Sequence, residues 1–345
     1  MVLENSKRVK VFSVFSMLLI CSFLGALFAL FLRTFIINED RGPAVEFIIL
    51  GSLTGFIIPL SFHLLSPVIS AIKKMPLWVS FFIQPAFFSF IIGVEYGIII
   101  FLTFRPDNFL KNSFLIETIL FSLTISFFVT FFDNLNRLVG KKVLRGLMVG
   151  TYHQPVLEER YIMFLDIAGS TSIAEKIGDL KFHSLLNNFF CDITKPIIDN
   201  YGDIYKYVGD EVIITWQFLK NTQKHSPVDA YISIYSAIEA RKDYYEKAYG
   251  FVPSFKAGLH YGKVIVGEMG SYKQEIALLG DAMNTASRIQ GACKPSGTNF
   301  LLSRDAINAL QMHYDHEKRR EFMSMGNIEL RGKENALELF TIQML

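Results

Sequence analysis

Long apolar runs near the N-terminus constrain this chain more than any other feature of its sequence. A helix needs roughly 20 apolar residues to cross a hydrocarbon core of roughly 30 Å. A cleaved signal peptide is the alternative for the first run, but that run is too long and no small-residue cleavage site clearly ends it. We therefore expect four retained transmembrane helices: Val11–Leu32, Phe47–Ser66, Leu77–Phe101 and Ser113–Phe132.

Basic residues between the apolar runs predict the orientation of this membrane domain. They are concentrated at the N-terminus, between the second and third runs, and after the fourth run. By the positive-inside rule, the N-terminus and the C-terminal domain then share the cytoplasmic side of the inner or plasma membrane, with lipid as a partner. Glu95 and Glu117 lie within the third and fourth runs, where a charge often marks function, although a protonated or interfacial carboxyl explains them as well.

From Asp133 onward the sequence has the mixed charge and regular turn residues of a globular domain. The formal net charge of the chain is +2, and the basic residues near the bilayer account for part of it, so we expect no nucleic-acid partner. The three cysteines lack metal-ligand spacing and indicate reduced thiols: Cys21, Cys191 and Cys293.

A connector links the two parts. In Asp133–Gly150, apolar residues recur at spacings of three and four with basic residues between them, which predicts an amphipathic helix that continues the fourth span. Such a helix can pair with its copy in a partner chain or lie on the membrane surface, and both remain open. The predicted organisation is a membrane domain at residues 1–132, a connector at 133–157 and a globular domain at 158–345.

Strand and helix patterns alternate in the globular part and predict an α+β domain with a mostly antiparallel sheet. The expected strands are Tyr161–Leu165, Asp203–Val208, Val212–Trp216, Phe255–His260 and Lys263–Glu268. The expected helices are Ser172–Ile177, Phe182–Tyr201 with an interruption near Pro196, Asp229–Tyr249 and Asp281–Ala292.

Two carboxylates stand at the ends of predicted strands. In Phe164–Thr171 (FLDIAGST), Asp166 closes a strand before a helix whose first N–H groups can face phosphate oxygens. In Ile204–Val212 (IYKYVGDEV), Asp210 follows Gly209 at the tip of a hairpin. An isolated Asp at such a place is more often a turn or cap residue. Two on adjacent strand ends, however, can hold a pair of Mg²⁺ ions between them.

A third segment, Leu279–Arg288 (LGDAMNTASR), carries polar residues on a predicted helix. Asn284 and Arg288 are four positions apart and therefore project from one face. An Arg there can stabilise charge on a transferring phosphoryl group, whereas a lone Arg is more often part of a surface ion pair. A glycine pattern precedes this segment in Gly258–Gly267 (GLHYGKVIVG).

Together these segments make Arg160–Ile342 resemble the class III adenylate and guanylate cyclase family, in its membrane-anchored bacterial form. The resemblance implies a ferredoxin-like or palm fold, with two Mg²⁺ or Mn²⁺ ions per site. It also implies that each site lies between two catalytic domains, so that a chain with one such domain acts as a homodimer. The residues it assigns are Asp166, Asp210 and the Ile167 carbonyl as metal ligands, Asn284 for the ribose and Arg288 for the pentavalent phosphorus.

The resemblance also bears on the base of the substrate. Lys206 matches the position that contacts the purine in adenylate-selective members, where guanylate-selective ones usually have Glu. A Lys ammonium donates to adenine N1, whereas a Glu carboxylate accepts from guanine N1–H, so ATP is favoured. The second purine position, usually Asp or Thr, holds Ala277, which cannot accept from the adenine amino group and leaves leakage toward GTP open. Of two basic candidates for phosphate binding near the C-terminus, we favour Lys333 over Arg331.

The expected reaction is attack of the ribose 3′-hydroxyl of ATP on the α-phosphorus, which gives 3′,5′-cyclic AMP and pyrophosphate. A guanylate cyclase is one alternative. A diguanylate cyclase is another, because Val208–Val212 is close to that family's glycine–aspartate–glutamate signature. A non-catalytic membrane receptor or regulatory module is a third, although such a protein is expected to lose a metal carboxylate or Arg288.

Overall fold

The computed structural model describes residues 18–27, 30, 44–72, 75–103, 114–140, 146, 150–218, 226–272, 274–311, 321–333 and 335–342. The chain divides into two compact units, Met1–Arg145 and Gly146–Leu345.

The first unit is helical where it is described. Residues 18–27 form a helix that approaches a second helix closely, because a Cβ on Gly25 would lie 2.1 Å from the carbonyl oxygen of Gly51. The hydroxyl of Ser22 donates to the carbonyl oxygen of Ser52 at 3.0 Å in the same contact. The labelled helices of this unit are α1 (Ala44–Leu64), α2 (Ser66–Ile72), α3 (Leu77–Thr103) and α4 (Phe114–Val139).

The helices of this unit give the four predicted spans no support. Within the part of the chain that the structure describes, none combines the length and the apolarity that crossing a membrane requires. The first predicted span, Val11–Leu32, is described only at residues 18–27 and 30. Glu95 and Glu117 fall in α3 and α4, and their side chains lie outside the described set.

The predicted connector helix is interrupted. Asp133 lies in α4, so this helix continues from the fourth apolar run as expected. It ends at Val139, because Gly140 takes a φ of 91°, a left-handed conformation that an α-helix cannot continue through. Of the remaining connector residues up to Gly150, residues 141–145 and 147–149 lie outside the described set.

The second unit is built on one sheet of eight strands, with the order β2-β3-β1-β4-β6-β8-β7 and β5 paired to β4. Its strands are β1 (Val156–Ile167), β2 (Asp203–Val208), β3 (Glu211–Gln217), β4 (Phe255–Met269), β5 (Glu275–Leu279), β6 (Phe300–Ser303), β7 (Phe322–Ile328) and β8 (Leu337–Ile342). Its helices are α5 (Ser170–Ile177), α6 (Asp179–Asp199), α7 (Pro227–Glu239), α8 (Lys242–Tyr249), α9 (Asp281–Ala292) and α10 (Arg304–Gln311). Only β4 and β6 pair in parallel among the described strands, which confirms the predicted mostly antiparallel sheet.

The central strand β1 divides its side chains between the two faces of the sheet. Met163 and Leu165 are fully buried in the main core, together with Leu185 and Phe189 of α6. Because alternate side chains of a strand point to opposite faces, Asp166 faces away from that core. The sheet therefore carries the carboxylate on the side where α9 packs.

Two glycines of β4 allow α9 to pack directly on the sheet. A Cβ on Gly258 would lie 2.2 Å from the backbone nitrogen of Gln290, and one on Gly262 would lie 2.8 Å from Cβ of Ala282. The fully buried methyl of Ala286 lies in the same helix face. Small residues on both elements thus set the depth and rotation of α9, which places its polar side chains.

Several predicted boundaries are wrong. Phe255–His260 and Lys263–Glu268 are parts of one strand, because Gly262 remains paired with Arg160 of β1 and makes no turn. The predicted helix Asp229–Tyr249 is two helices, since Arg241 leaves helical geometry at φ −108° and ψ 15°.

Helix α6 was expected to break near Pro196, but it continues to Asp199. Pro196 lies in the last turn of the helix. Proline has no backbone N–H, so one backbone hydrogen bond is missing, and it is one of the last in the helix. Asn200 then donates from its side chain to the Pro196 carbonyl oxygen at 2.8 Å and satisfies that end. The sequence patterns also missed four strands and one helix: β5, β6, β7, β8 and α10.

Candidate active site

Asp166 and Asp210 meet at the ends of neighbouring strands. Asp166 is the penultimate residue of β1 and pairs in register with Glu211, the first residue of β3. Asp210 directly precedes Glu211 in the turn from β2, where Gly209 takes a φ of 63°. The positive φ favours glycine and makes the turn tight. The side chains of Asp166 and Asp210 are close enough for each to affect the ionisation of the other, because Asp210 raises the pKa of Asp166.

The surroundings of Asp166 disfavour its charge. Burial, followed by the hydrogen bond and the charge of Asp210, raises the pKa of Asp166 to about 7, against the opposing hydrogen bond from Gln290. Burial and the charges of Asp166 and Asp210 likewise raise the pKa of Glu211 to about 7. Three acidic side chains this close together repel one another when they are charged, and positive charge nearby would offset that repulsion.

The donor set suits a hard divalent cation. Atom Oδ1 of Asp166 is buried and has no hydrogen-bond partner among the described residues, so it is an oxygen without a protein donor. Mg²⁺ is typically bound through one or two carboxylates, with water and substrate phosphates completing its shell. Asp166, Asp210 and the carbonyl of Ile167, the next residue along β1, fit that requirement. In the described part of the chain, no group of three or more His, Cys, Asp or Glu side chains could hold a metal without such help.

Gln290 is a site residue that the sequence patterns did not reveal. Its side-chain amide donates to Oδ2 of Asp166 at 3.4 Å from α9. It fixes the orientation of the carboxylate, so that Oδ1 stays free for a ligand. Glu211 was also missed as a site residue, although it stands next to Asp210 in the predicted motif.

Arg288 and Lys333 converge at the junction of α9 and the C-terminal loop. Arg288 donates from Nη1 to the carbonyl oxygen of Gly332 at 2.9 Å. The neighbouring Lys333 forms an ion pair with Asp281 in the first turn of α9 and lowers the pKa of Asp281. The structure thus brings together two basic groups assigned to phosphate, with Asn284 exposed on the same helix.

The carboxylates and Arg288 of one chain do not face each other. Successive helical residues are rotated by about 100°, so that positions two apart project from different sides of the helix. Gln290 contacts Asp166, and Arg288 stands two positions before it. Arg288 therefore projects from a different side of α9 than the residue that contacts Asp166, and the candidate residues of one chain fall into two separate groups.

Lys206 and Ala277 lie on β2 and β5. The ammonium of Lys206 is 3.3 Å from both carboxylate oxygens of Glu275, a contact that the sequence patterns did not predict. Ala277 is buried and pairs with Gly267 of β4. Tyr205 accepts a hydrogen bond at its phenol oxygen from the backbone nitrogen of Leu278 at 3.1 Å, which joins the two strands.

Comparisons with known proteins identify the family of the second unit. Residues 153–343 match the family described as adenylate and guanylate cyclase catalytic domain. The chain is 34% identical over 207 residues to adenylate cyclase 2 of Rhizobium meliloti (strain 1021), covering 60% of this chain and 56% of the relative. It is 26% identical over 187 residues to adenylate cyclase of Anabaena cylindrica, covering 53% of this chain and 36% of that protein. The chain thus spans only about half of the first relative's length, and less of the second.

A solved structure of a bacterial light-regulated adenylyl cyclase is also similar. It shares 26% sequence identity with a TM-score of 0.48, and the match covers 55% of this chain and 52% of that one.

Proposed function

This chain belongs to the adenylate and guanylate cyclase catalytic domain family, and we propose that it is a membrane-bound adenylate cyclase. It converts ATP to 3′,5′-cyclic AMP and pyrophosphate. The observation that carries the proposal is the pair Asp166 and Asp210, with a buried carboxylate oxygen left for a cation. Both relatives described above are adenylate cyclases by name.

The reaction joins the ribose O3′ to the α-phosphorus and breaks the bond from that phosphorus to the oxygen of pyrophosphate. The proton of the 3′-hydroxyl passes to solvent water, and the leaving pyrophosphate carries the displaced electron pair. No covalent enzyme intermediate is needed, because positioning and electrostatic stabilisation supply most of the catalysis in such transfers. When bound by Asp166, Asp210 and the Ile167 carbonyl, two Mg²⁺ or Mn²⁺ ions would supply positive charge to the phosphates and the attacking oxygen.

The remaining residues position the substrate. Arg288 neutralises charge on the phosphoryl group in transit, and its bond to the Gly332 carbonyl supports holding the guanidinium in place. Lys333 binds the phosphates, with Asp281 orienting its ammonium. Asn284 is exposed on the same helix and positions the ribose. Lys206 donates to the purine and favours ATP over GTP.

A two-fold homodimer completes the site. Arg288 projects from a different side of α9 than the residue that contacts Asp166 of its own chain, so each site is built from two half-sites. One chain contributes the half-site with Asp166 and Asp210. Its partner contributes the half-site with Lys206, Asn284 and Arg288. The two-fold arrangement gives two equivalent sites. The connector at residues 133–157 is a further dimer contact in this proposal.

Attachment to the inner or plasma membrane is proposed from the sequence. The four apolar runs and the distribution of basic residues predict that the N-terminus and the second unit lie on the cytoplasmic side. Large exposed apolar side chains on α3 support contact with lipid, since Trp78, Phe82 and Phe90 are 71%, 72% and 69% exposed. Washing isolated membranes with alkaline carbonate tests this, because a chain released into the supernatant is not integral.

Product analysis tests the proposed activity. The detergent-solubilised full chain is incubated with ATP or GTP and with Mg²⁺ or Mn²⁺, and the products are identified by mass spectrometry. Cyclic AMP is expected, and Asp166→Ala or Asp210→Ala abolishes it without unfolding the chain. Cyclic GMP, for which Ala277 is the favouring observation, would replace the proposal with a guanylate cyclase. Cyclic di-GMP would indicate a diguanylate cyclase, and no product would indicate a receptor or regulatory module.

A further inference from the structure

Strands β2 and β5 contact each other although β3, β1 and β4 separate them in the pairing order. Two adjacent residues of β2 make the contact. Tyr205 accepts from the backbone nitrogen of Leu278, and Lys206 reaches both carboxylate oxygens of Glu275. The bond from Tyr205 to the backbone of Leu278 holds the two strands together next to Lys206 and Glu275. The contact between these two side chains therefore follows from the position of the strands.

Glu275 and Ala277 lie on the same face of β5, since side chains two positions apart on a strand point the same way. Ile276, between them, is buried on the other face. The methyl group of Ala277 accepts no hydrogen bond, but the carboxylate two positions earlier accepts several. This face of β5 therefore carries a hydrogen-bond acceptor at position 275, where position 277 has none.

The pair remains accessible to a ligand. The side chains of Lys206 and Glu275 are 47% and 44% exposed. An ion pair that is this exposed contributes little to stability, so its partners are readily shared with a bound molecule.

We propose that Glu275 is a specificity-determining residue, which holds the Lys206 ammonium toward N1 of adenine and accepts a hydrogen bond from the adenine 6-amino group. The inference rests on the proposed adenylate cyclase function. Adenine presents an acceptor at N1 and a donor at the 6-amino group, and the Lys–Glu pair presents the complementary donor and acceptor.

Guanine reverses both groups. Its N1–H donor faces the Lys206 ammonium, which is also a donor. Its O6 acceptor faces the Glu275 carboxylate, which is also an acceptor, so neither hydrogen bond forms. Sites built to hydrogen-bond a substrate reject analogues that leave their polar groups unpaired. Glu275 thus provides the discrimination between adenine and guanine that Ala277 cannot provide.

Binding of 3′-deoxy-ATP and 3′-deoxy-GTP to the full chain tests this, because both lack the attacking hydroxyl and report base recognition without turnover. In Glu275→Gln, the Kd for 3′-deoxy-ATP is expected to rise about tenfold, the loss of one charged hydrogen bond, with no weakening for 3′-deoxy-GTP. Glu275→Asp should retain most of the preference. Adding Ala277→Asp to Glu275→Ala should return an acceptor to the site and recover it.

The matched control is Glu338→Gln, which disrupts a comparably exposed ion pair with Arg304 in the same unit. It should leave the ratio of the two Kd values unchanged. An unchanged ratio in both Glu275→Gln and Glu275→Ala would overturn the proposal and leave a surface ion pair only. A wild-type chain that binds the analogues but forms no cyclic nucleotide would instead overturn the proposed function, while the binding ratios still decide the role of Glu275.

Discussion

The side-chain amide of Gln290 donates to Oδ2 of Asp166 at 3.4 Å, across 124 positions of sequence. This bond turns the second carboxylate oxygen, Oδ1, toward a place without a protein donor among the described residues. A helix on one face of the sheet thereby contacts the candidate metal carboxylate at the end of the central strand.

Gln290→Ala is expected to weaken metal use. The lost bond lets the Asp166 carboxylate rotate, and loss of such an outer partner typically costs about 10–100-fold in metal affinity or activity. The Mg²⁺ or Mn²⁺ concentration for half-maximal cyclic AMP formation measures this. Ser287→Ala, in the same helix, is the control and should behave like the wild type. A metal requirement that is identical in Gln290→Ala and wild type would exclude this orienting role.

Pairs of inactive variants are expected to complement only when they affect different half-sites. Asp166→Ala and Arg288→Ala, co-expressed with different tags, form mixed dimers in which one site carries both defects and the other carries neither. With random pairing, roughly a quarter of wild-type activity should return under two-fold symmetry.

The control pair is Asp166→Ala with Asp210→Ala, which affects the same half-site twice. Every site of that mixed dimer has one defective carboxylate, so no activity should return. If the tags demonstrate mixed Asp166→Ala and Arg288→Ala dimers that stay inactive, the shared site is wrong for this protein.

Gly258→Ala is expected to destabilise the second unit, Gly146–Leu345. The new Cβ would lie 2.2 Å from the backbone nitrogen of Gln290, and backbone cannot give way as a flexible side chain can. Overpacking of this kind typically costs about 1–3 kcal/mol. Thermal unfolding measures the loss through the fluorescence of the fully buried Trp216, in a Trp78→Phe background that removes the second tryptophan.

Gly291→Ala is the matched control, because a Cβ there has no neighbour within 4 Å. It lies in α9, where replacing glycine by alanine should increase the free energy of unfolding by about 0.5–1 kcal/mol. Similar shifts in both variants would show that close packing of β4 against α9 does not limit stability.

His260 is expected to make the second unit less stable in mild acid. Burial lowers its pKa from 6.5 to about 4, with Asp305 and Asp281 opposing and Lys333 adding to the shift. Nδ1 of the imidazole shares a hydrogen bond with the Ser303 hydroxyl at 2.8 Å, and the oxygen of that hydroxyl also accepts from the backbone nitrogen of Ala306 at the start of α10.

As pH falls below 6.5 the unfolded chain takes up the proton first, so this contribution declines between pH 6.5 and about 4. The decline amounts to at most roughly 3 kcal/mol for a shift of this size. Unfolding followed by Trp216 fluorescence at several pH values should show a flatter acid limb in His260→Gln than in wild type. His183→Gln, at an exposed histidine, should not flatten it; equal slopes in all three chains would contradict the assignment.

The sequence alone was enough to predict the candidate site residues, because the signals of these residues are local. Asp166 and Asp210 stand where strand patterns end, and Gly209 supplies the positive φ that the hairpin turn requires. Asn284 and Arg288 share a helix face through a spacing of four. Such features depend only on neighbouring residues, and the predicted strand Asp203–Val208 and helix Asp281–Ala292 have the boundaries that were expected.

Only the tertiary structure decided which groups meet. The contacts of Gln290 with Asp166, Lys206 with Glu275 and Arg288 with Gly332 join residues 124, 69 and 44 positions apart. They depend on strand register and on the rotation of α9, which the close approach at Gly258 and Gly262 sets. Side chains that are equally polar in the sequence thereby receive different partners, because packing of buried small residues determines the direction in which each polar group points.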